Sequence, residues 1–137
     1  MKPEKDHDLI QKLYVLAWRI RDKSWAPYSN FRVGAALYLP DHQAIVGGVN
    51  VENASYGATI CAERSAILSA VGLYGKTPIG MLVVATDAKI PAVPCAQCLQ
   101  VLAEFCNDDM PVLLANDQGI VESLVLADLL PRPFRSF

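Results

Sequence analysis

The sequence predicts an α/β fold, a three-layer α-β-α sandwich around one mixed sheet of about five strands. Two observations lead to this class. Segments with helical spacing alternate with short β-branched segments in the order α-β-β-α-β-α-β-β-α, with no repeat, linker or low-complexity segment between them. The chain has 137 residues, 53% of them hydrophobic, which suits one core and is too short for two ordinary domains. We therefore expect a single domain over residues 1–137.

The first predicted elements are an amphipathic helix and a β-hairpin. Between residues 8 and 23, leucine, alanine and isoleucine side chains recur at spacings of three and four, which is typical of a helix with one buried face. Strands are predicted at 31–39 and 44–49, because the turn-forming tetrapeptide Pro40-Asp41-His42-Gln43 lies between two apolar segments. A polar loop of the kind that carries functional residues follows at 52–57.

The second half of the chain continues the alternation. A helix is predicted at 61–73, with its apolar side formed by Ala62, Ala66, Ile67, Ala70 and Val71. The β-branched segment 79–86 is typical of a buried central strand. The remaining predicted elements are a helix at 95–106, short strands at 112–115 and 119–121, and a helical turn at 124–130. Cys106 is interpreted as a small buried hydrophobic residue.

Three of the four cysteines form a candidate metal site. Cys61 opens one predicted helix, and Cys95 and Cys98 lie in the first turn of another. Exposed amides and the positive end of the helix dipole favour thiolates there, and a spacing of three directs two sulfurs the same way. A redox pair or ordinary core thiols are the alternatives for each motif alone. Three thiolates without an obvious fourth protein ligand match the open zinc site of a catalyst, so we expect one Zn²⁺ per chain.

Two charged residues next to Cys61 strengthen this interpretation. Glu63 is placed to relay protons beside a metal, and a carboxylate in a dry, negatively charged pocket would have a raised pKa. Zn²⁺ with three thiolates carries a net charge of −1, which opposes the acidification of water. The helix N-termini and the cation of Arg64 are expected to offset that charge by donating to the sulfurs.

Four segments together carry a resemblance to a known family. They are Phe31-Arg32-Val33-Gly34-Ala35-Ala36-Leu37, Gly48-Val49-Asn50-Val51-Glu52-Asn53-Ala54-Ser55-Tyr56, Cys61-Ala62-Glu63-Arg64 and Pro94-Cys95-x-x-Cys98-x-Gln100-Val101-Leu102-x-Glu104-Phe105. Over nearly the whole chain, the sequence resembles the small, homotetrameric, zinc-dependent cytidine deaminases. The resemblance implies a cytidine deaminase-like fold and hydrolysis of cytidine and deoxycytidine to uridine and deoxyuridine plus ammonia, in pyrimidine salvage.

The resemblance also implies roles for individual residues. Zinc would be held by Cys61, Cys95 and Cys98, while Glu63 would pass protons from the attacking water to ring N3 and then to the departing ammonia. The implied substrate-binding residues are Phe31, Asn50, Glu52, Ala54, Tyr56, Ala62 and Phe134. Asn50 and Glu52 alternate along an extended segment and are expected to face one pocket. The sequence departs from the family at Ala96, where glycine is usual, and at Leu99, where arginine is usual.

Composition limits the partners. Twelve basic and fourteen acidic residues give a net charge of −2, which disfavours a polynucleotide. The longest segment without charged residues, 90–103, is too short to span a membrane, and the charged N-terminus lacks the pattern of a signal peptide. We expect a cytoplasmic enzyme. The tail Pro131-Arg132-Pro133-Phe134 has little reason to fold onto its own core, so we expect a homotetramer in which Tyr56 and Phe134 reach a neighbouring subunit's site.

Two other functions are considered. A deaminase of another aminopyrimidine, such as a blasticidin-like compound or cytosine in RNA, uses the same metal chemistry. A structural zinc module that binds another protein needs a fourth ligand, and the only other candidates are Cys106 and two histidines far from both cysteine motifs. That second function also leaves Glu63 and the Asn50-x-Glu52 pair without a role.

Overall fold

The computed structural model describes residues 3–136. Within these residues the elements follow the predicted order and are α1 (Pro3–Ile20), β1 (Val33–Leu39), β2 (Ala44–Val49), α2 (Ala62–Tyr74), β3 (Met81–Thr86), α3 (Ala96–Ala103), β4 (Pro111–Asn116), β5 (Gly119–Val125) and α4 (Leu126–Leu129). Among the described residues, every helix falls short of the length or the apolar content that a membrane crossing requires.

The five strands form one mixed sheet in the order β2-β1-β3-β4-β5. β1 pairs antiparallel with both β2 and β3, β3 pairs parallel with β4, and β5 returns antiparallel to β4. The parallel pair requires a crossover, which α3 supplies. The prediction of a mixed sheet of about five strands is therefore confirmed.

Helices cover both faces of the sheet. On one face α1 buries Leu13 and Ala17 against Ala36 of β1 and Val83 of β3. On the other face α2 and α3 pack through a larger cluster that includes Ala66, Leu82 and Leu102, all fully buried. This arrangement confirms the three-layer sandwich, and it places the N-termini of α2 and α3 on the same side of the sheet.

Two glycines allow helices to approach the sheet at backbone distance. A Cβ atom at Gly48 of β2 would lie 2.3 Å from the backbone nitrogen of Ala66 and 2.6 Å from the carbonyl oxygen of Ala62. A Cβ atom at Gly34 of β1 would lie 1.9 Å from the carbonyl oxygen of Ala17 in α1. No larger residue fits at either position without moving a helix. Gly48 therefore fixes how closely the first turns of α2 approach β2.

Several predicted boundaries are corrected by the structure. β1 begins at Val33 rather than at residue 31, because the side chain of Asn50 bonds to the backbone of Phe31 and Val33 just before the ladder starts. β5 runs to Val125 rather than 121, since pairing with β4 continues past a register shift that the pattern of exposed residues conceals. α3 ends at Ala103, and Val71 of α2 is exposed rather than on the buried side.

Candidate active site

Three sulfur atoms meet where α2 and α3 begin. Cys61 is the N-cap of α2 and Cys95 is the N-cap of α3, with Cys98 in the first turn of α3. The Sγ atoms of Cys61 and Cys95 are 3.8 Å apart, and those of Cys95 and Cys98 are 3.5 Å apart. A tetrahedral zinc with bonds of about 2.3 Å to sulfur holds its sulfur ligands about 3.8 Å apart. Both distances lie within about 0.3 Å of that spacing, so the cluster suits a zinc ion.

The cluster has three ligands and no fourth among the described residues. All three Sγ atoms lie within 4.8 Å of one another, and no further His, Cys, Asp or Glu of residues 6–136 joins them. Cys106, the remaining cysteine, instead donates its thiol to the carbonyl oxygen of Leu102 at 3.1 Å and packs against the core. His42, in the turn between β1 and β2, stacks on Tyr74 at the end of α2. The arrangement leaves room for a reactant beside the metal, as in catalytic zinc sites.

A cation and shared thiol protons shape the electrostatics of the cluster. Arg64 extends Nη2 to 3.6 Å from Sγ of Cys61 and 3.4 Å from the carbonyl oxygen of Thr59. Hydrogen bonding from Cys98, and then from Arg64, lowers the pKa of Cys61, whereas the same contact with Cys61 raises the pKa of Cys98. Leu99, at the position where an arginine would add charge, is only 6% exposed and belongs to the apolar core. Arg64 is therefore the cation in contact with these sulfurs among the described residues.

Glu63 is a buried carboxyl group next to the cluster. It lies one residue into α2, only 4% of its surface is exposed, and it lines the same cavity as Cys61 and Cys95. Burial raises the pKa of Glu63 to about 7, because water is removed from the charged form. A carboxyl group with that pKa exists in both protonation states near neutral pH.

The cavity in front of the sulfurs has a volume of about 240 Å³. Besides Cys61 and Cys95, its wall includes five residues that the sequence analysis named for proton transfer or substrate binding, Phe31, Asn50, Glu52, Ala62 and Glu63. The rest of the wall is formed by Val84 and Thr86 at the end of β3, Ala92 and Val93 before α3, and Ser29, Val33 and Thr59. The structure thus brings four of the seven candidate substrate-binding residues and the candidate metal site onto one surface.

Three other residues named from the sequence lie away from this cavity. Ala54 is exposed in the loop after β2. Tyr56, 74% exposed, lines an adjoining groove together with Tyr28, and the two rings meet edge to face at 5.6 Å. Phe134, 63% exposed, lies against α3 and does not line the cavity of its own chain.

The prediction that the C-terminal tail does not fold onto its own core is wrong. The side-chain amide of Gln100 donates to the carbonyl oxygen of Phe134 at 2.6 Å and accepts from its backbone N–H at 3.2 Å. Arg135 then donates to the carbonyl oxygens of Ala103 and Cys106 and pairs with Asp108 at 2.7 Å. These bonds satisfy carbonyl groups near the end of α3, which helical spacing alone does not reveal.

Sequence reasoning missed four polar residues in the cavity wall or bonded to it. Ser29, Thr59 and Thr86 line the wall, and the hydroxyl of Ser29 donates to the carboxylate of Glu52. The hydroxyl of Ser24 donates to the side chain of Asn50, which lines the wall. Ser29 lies two residues before the family-like segment that begins at Phe31, so its neighbourhood carried a signal. Ser24 carried none, because its partner is 26 residues away in sequence.

Comparison with known proteins gives one consistent result. A profile described as "Cytidine and deoxycytidylate deaminase zinc-binding region" matches residues 6–114. A cytidine deaminase of Halalkalibacterium halodurans is 42% identical over 90% of this chain and 92% of its own, and one of Sporosarcina psychrophila is 43% identical over 91% and 90%. The crystal structure of a cytidine deaminase from Burkholderia pseudomallei is 41% identical over 90% of this chain and 98% of its own, with a TM-score of 0.84.

Proposed function

Because this chain belongs to the cytidine and deoxycytidylate deaminase family, we propose that it hydrolyses cytidine and deoxycytidine to uridine and deoxyuridine plus ammonia, in pyrimidine salvage. The observation that carries the proposal is the buried carboxyl group of Glu63, which opens onto the same cavity as the three-sulfur cluster. A nucleoside in this cavity would therefore reach both the carboxyl group that relays protons and the metal site. The proposed enzyme is a single catalytic domain covering the chain.

Cys61, Cys95 and Cys98 would hold one Zn²⁺. When bound, zinc supplies a nucleophile at neutral pH by lowering the pKa of water. The chain contributes thiolates at two helix N-termini, whose amides and dipoles stabilise negative charge. Arg64 adds a positive charge beside Cys61, which keeps that sulfur anionic and oriented.

Glu63 would move the protons of the reaction. Its carboxylate takes a proton from the attacking water and delivers it to N3 of the cytosine ring, while the remaining hydroxide bonds to C4. It then takes the proton of the new C4 hydroxyl group and passes it to the amino group, which leaves as ammonia as the C4 carbonyl forms. The position of Glu63 in the first turn of α2, two residues after Cys61, keeps the carboxyl group beside the sulfur cluster. Its burial excludes bulk water, which would otherwise exchange these protons.

The remaining cavity residues would bind the nucleoside. Phe31 and Val84 offer apolar walls for the base, and backbone groups near Ala62 and Cys95 would hold its polar edge. Asn50 and Glu52 would bind hydroxyl groups of the ribose, since an amide and a carboxylate supply a donor and an acceptor.

We also propose a homotetramer whose sites are completed by neighbouring subunits. The exposed rings of Tyr56 and Phe134, with Ala54 in the loop, would reach the cavity of another copy. Gln100 holds the backbone of the tail on α3 at Phe134, whose surface is 63% exposed. We further propose a cytoplasmic location, because a reducing compartment keeps the zinc-binding thiols reduced. Light scattering should give four chains per particle, and Phe134→Ala should weaken nucleoside binding while zinc remains bound. A fully active monomer would contradict the assembly.

The decisive test of the activity is direct. Purified protein is mixed with cytidine, and the ultraviolet change on conversion to uridine is followed together with ammonia release. The same protein after chelation of its metal is the control, and it should regain activity when zinc is returned. Blasticidin and a cytosine-containing RNA, offered in parallel, test the two related substrates. No conversion of cytidine by zinc-loaded protein would overturn the proposal.

A further inference from the structure

The side chain of Asn50 is oriented by the protein on three sides. Its Oδ1 accepts from the backbone N–H of Val33 at 2.9 Å and from the hydroxyl of Ser24. Its Nδ2 donates to the carbonyl oxygen of Phe31 at 2.7 Å. Asn50 is 7% exposed and lines the cavity. An oxygen must face Val33 and a nitrogen must face Phe31, so only the second N–H of Nδ2 is left for a ligand among the described contacts.

Glu52 is held in a comparable way by the turn before β1. Its Oε1 accepts from the backbone N–H groups of Tyr28 at 2.9 Å and Ser29 at 3.1 Å, and its Oε2 accepts from the hydroxyl of Ser29. That hydroxyl in turn accepts from the backbone N–H of Phe31 at 3.0 Å. The bond from Ser29 also lowers the pKa of Glu52, which keeps the carboxylate ionised. One acceptor position on Oε2 remains for a ligand.

The two side chains therefore present opposite polarities to the cavity, one N–H from Asn50 and one oxygen from Glu52. A hydroxyl group is the common ligand group that both accepts and donates, so a single sugar hydroxyl satisfies both at once. This polarity depends on Ser24 and Ser29. The hydroxyl of Ser24 occupies an acceptor position on Oδ1 of Asn50, and the hydroxyl of Ser29 occupies one on Oε2 of Glu52. If either position were free, it would compete for the proton of the sugar hydroxyl.

Resting on the proposed function, we propose that Ser24 and Ser29 are positioning residues that orient Asn50 and Glu52 to bind one ring hydroxyl of the nucleoside sugar. Neither serine needs to touch the substrate. Each acts through the residue to which it donates, so removal of a serine hydroxyl should matter only when the sugar carries the hydroxyl that the pair binds.

The test compares cytidine with 2′,3′-dideoxycytidine, which lacks both ring hydroxyls. For cytidine, kcat/KM should fall about tenfold in Ser29→Ala, where a charged acceptor loses its donor, and about fivefold in Ser24→Ala. For dideoxycytidine the same substitutions should change kcat/KM less than twofold. Ser29→Thr keeps the hydroxyl and should restore most of the loss. Ser123→Ala, an exposed serine on β5, is the matched control and should change neither substrate.

Calorimetric affinities keep this inference separate from the proposed activity. Both serine substitutions are repeated in a Glu63→Gln background, where nucleoside binding is measured without turnover, and zinc content and thermal unfolding report on the fold. If Ser24→Ala fails to fold, Ser29→Ala decides alone. Equal losses for both nucleosides, or no loss for either, would overturn the positioning role. If cytidine binds with the predicted pattern but is not converted by the parent protein, only the proposed activity fails.

Discussion

Substitution of Gly48 by alanine tests whether the contact between β2 and α2 holds the sulfur cluster in place. The new Cβ atom would lie 2.3 Å from the backbone nitrogen of Ala66 and 2.6 Å from the carbonyl oxygen of Ala62. Backbone atoms of a helix cannot rotate aside, and ordinary contacts of a Cβ atom begin at 3.4 Å. The first turns of α2 must therefore move away from the sheet by about 1 Å.

This displacement sets the expected size of the effect. Forcing an extra methyl group into a packed interior costs about 1–3 kcal/mol, and a clash with backbone on one side places Gly48→Ala near about 3 kcal/mol of lost unfolding free energy. The same movement shifts Cys61 relative to Cys95, now 3.8 Å apart, and shifts Glu63 with it. A misplacement of about 1 Å lowers catalytic rates by about 100-fold, so kcat/KM should fall by that order.

Gly72→Ala is the matched control because it changes the same helix on its open side. A Cβ atom at Gly72 meets nothing within 4 Å. Replacing a glycine inside a helix by alanine stabilises it by about 0.5–1 kcal/mol, so this variant should be slightly more stable and retain its zinc.

The assay is urea unfolding of zinc-loaded protein, followed by circular dichroism, together with zinc content and kcat/KM for cytidine. Gly48→Ala should unfold at lower urea concentration with an unchanged slope, and Gly72→Ala at a slightly higher one. If Gly48→Ala matches the parent in stability, zinc content and rate, the reasoning that β2 fixes the position of α2 is refuted.

Three further predictions concern the site chemistry. Glu63→Gln should keep zinc and fold but lose at least about 10²–10⁴ in kcat, since glutamine cannot relay a proton; near-normal turnover would assign the relay to another group. Cys98→Ala should lose both zinc, by metal analysis, and activity, and full activity without metal would contradict the cluster's role. Burial raises the pKa of Cys106 to about 11, so its thiol stays protonated at pH 8. The free energy of unfolding is unaffected by this thiol below about pH 9 and falls as the pH rises to about 11, because the unfolded chain loses the thiol proton first. Iodoacetamide at pH 8 should therefore label less than one thiol per zinc-loaded chain and all four after unfolding with a chelator, and rapid labelling of Cys106 in the native protein would refute this.

Much of the fold followed from local pattern. Hydrophobic spacing places α1, α2 and β3 within about five residues of their observed bounds, because the period of a helix or strand decides which side chains share a face. The predicted β5 is too short, because the middle residues of the strand are exposed and its pairing depends on β4 rather than on its own alternation. The docking of the tail was missed because one side chain, Gln100, holds it by two bonds to backbone.

The sequence alone determined which chemical groups are present and how they point within one element. Cys95 and Cys98 share a helical turn, and Asn50 and Glu52 alternate on an extended segment, so spacing decides their direction. Tertiary structure alone decided the approach of Cys61 to Cys95, the burial of Glu63, and the donors that fix the polarity of Asn50 and Glu52. The bonds and sulfur contacts involved join residues 17 to 34 positions apart. Their distances are set by the packing of whole elements, such as α2 against Gly48, and not by any local spacing.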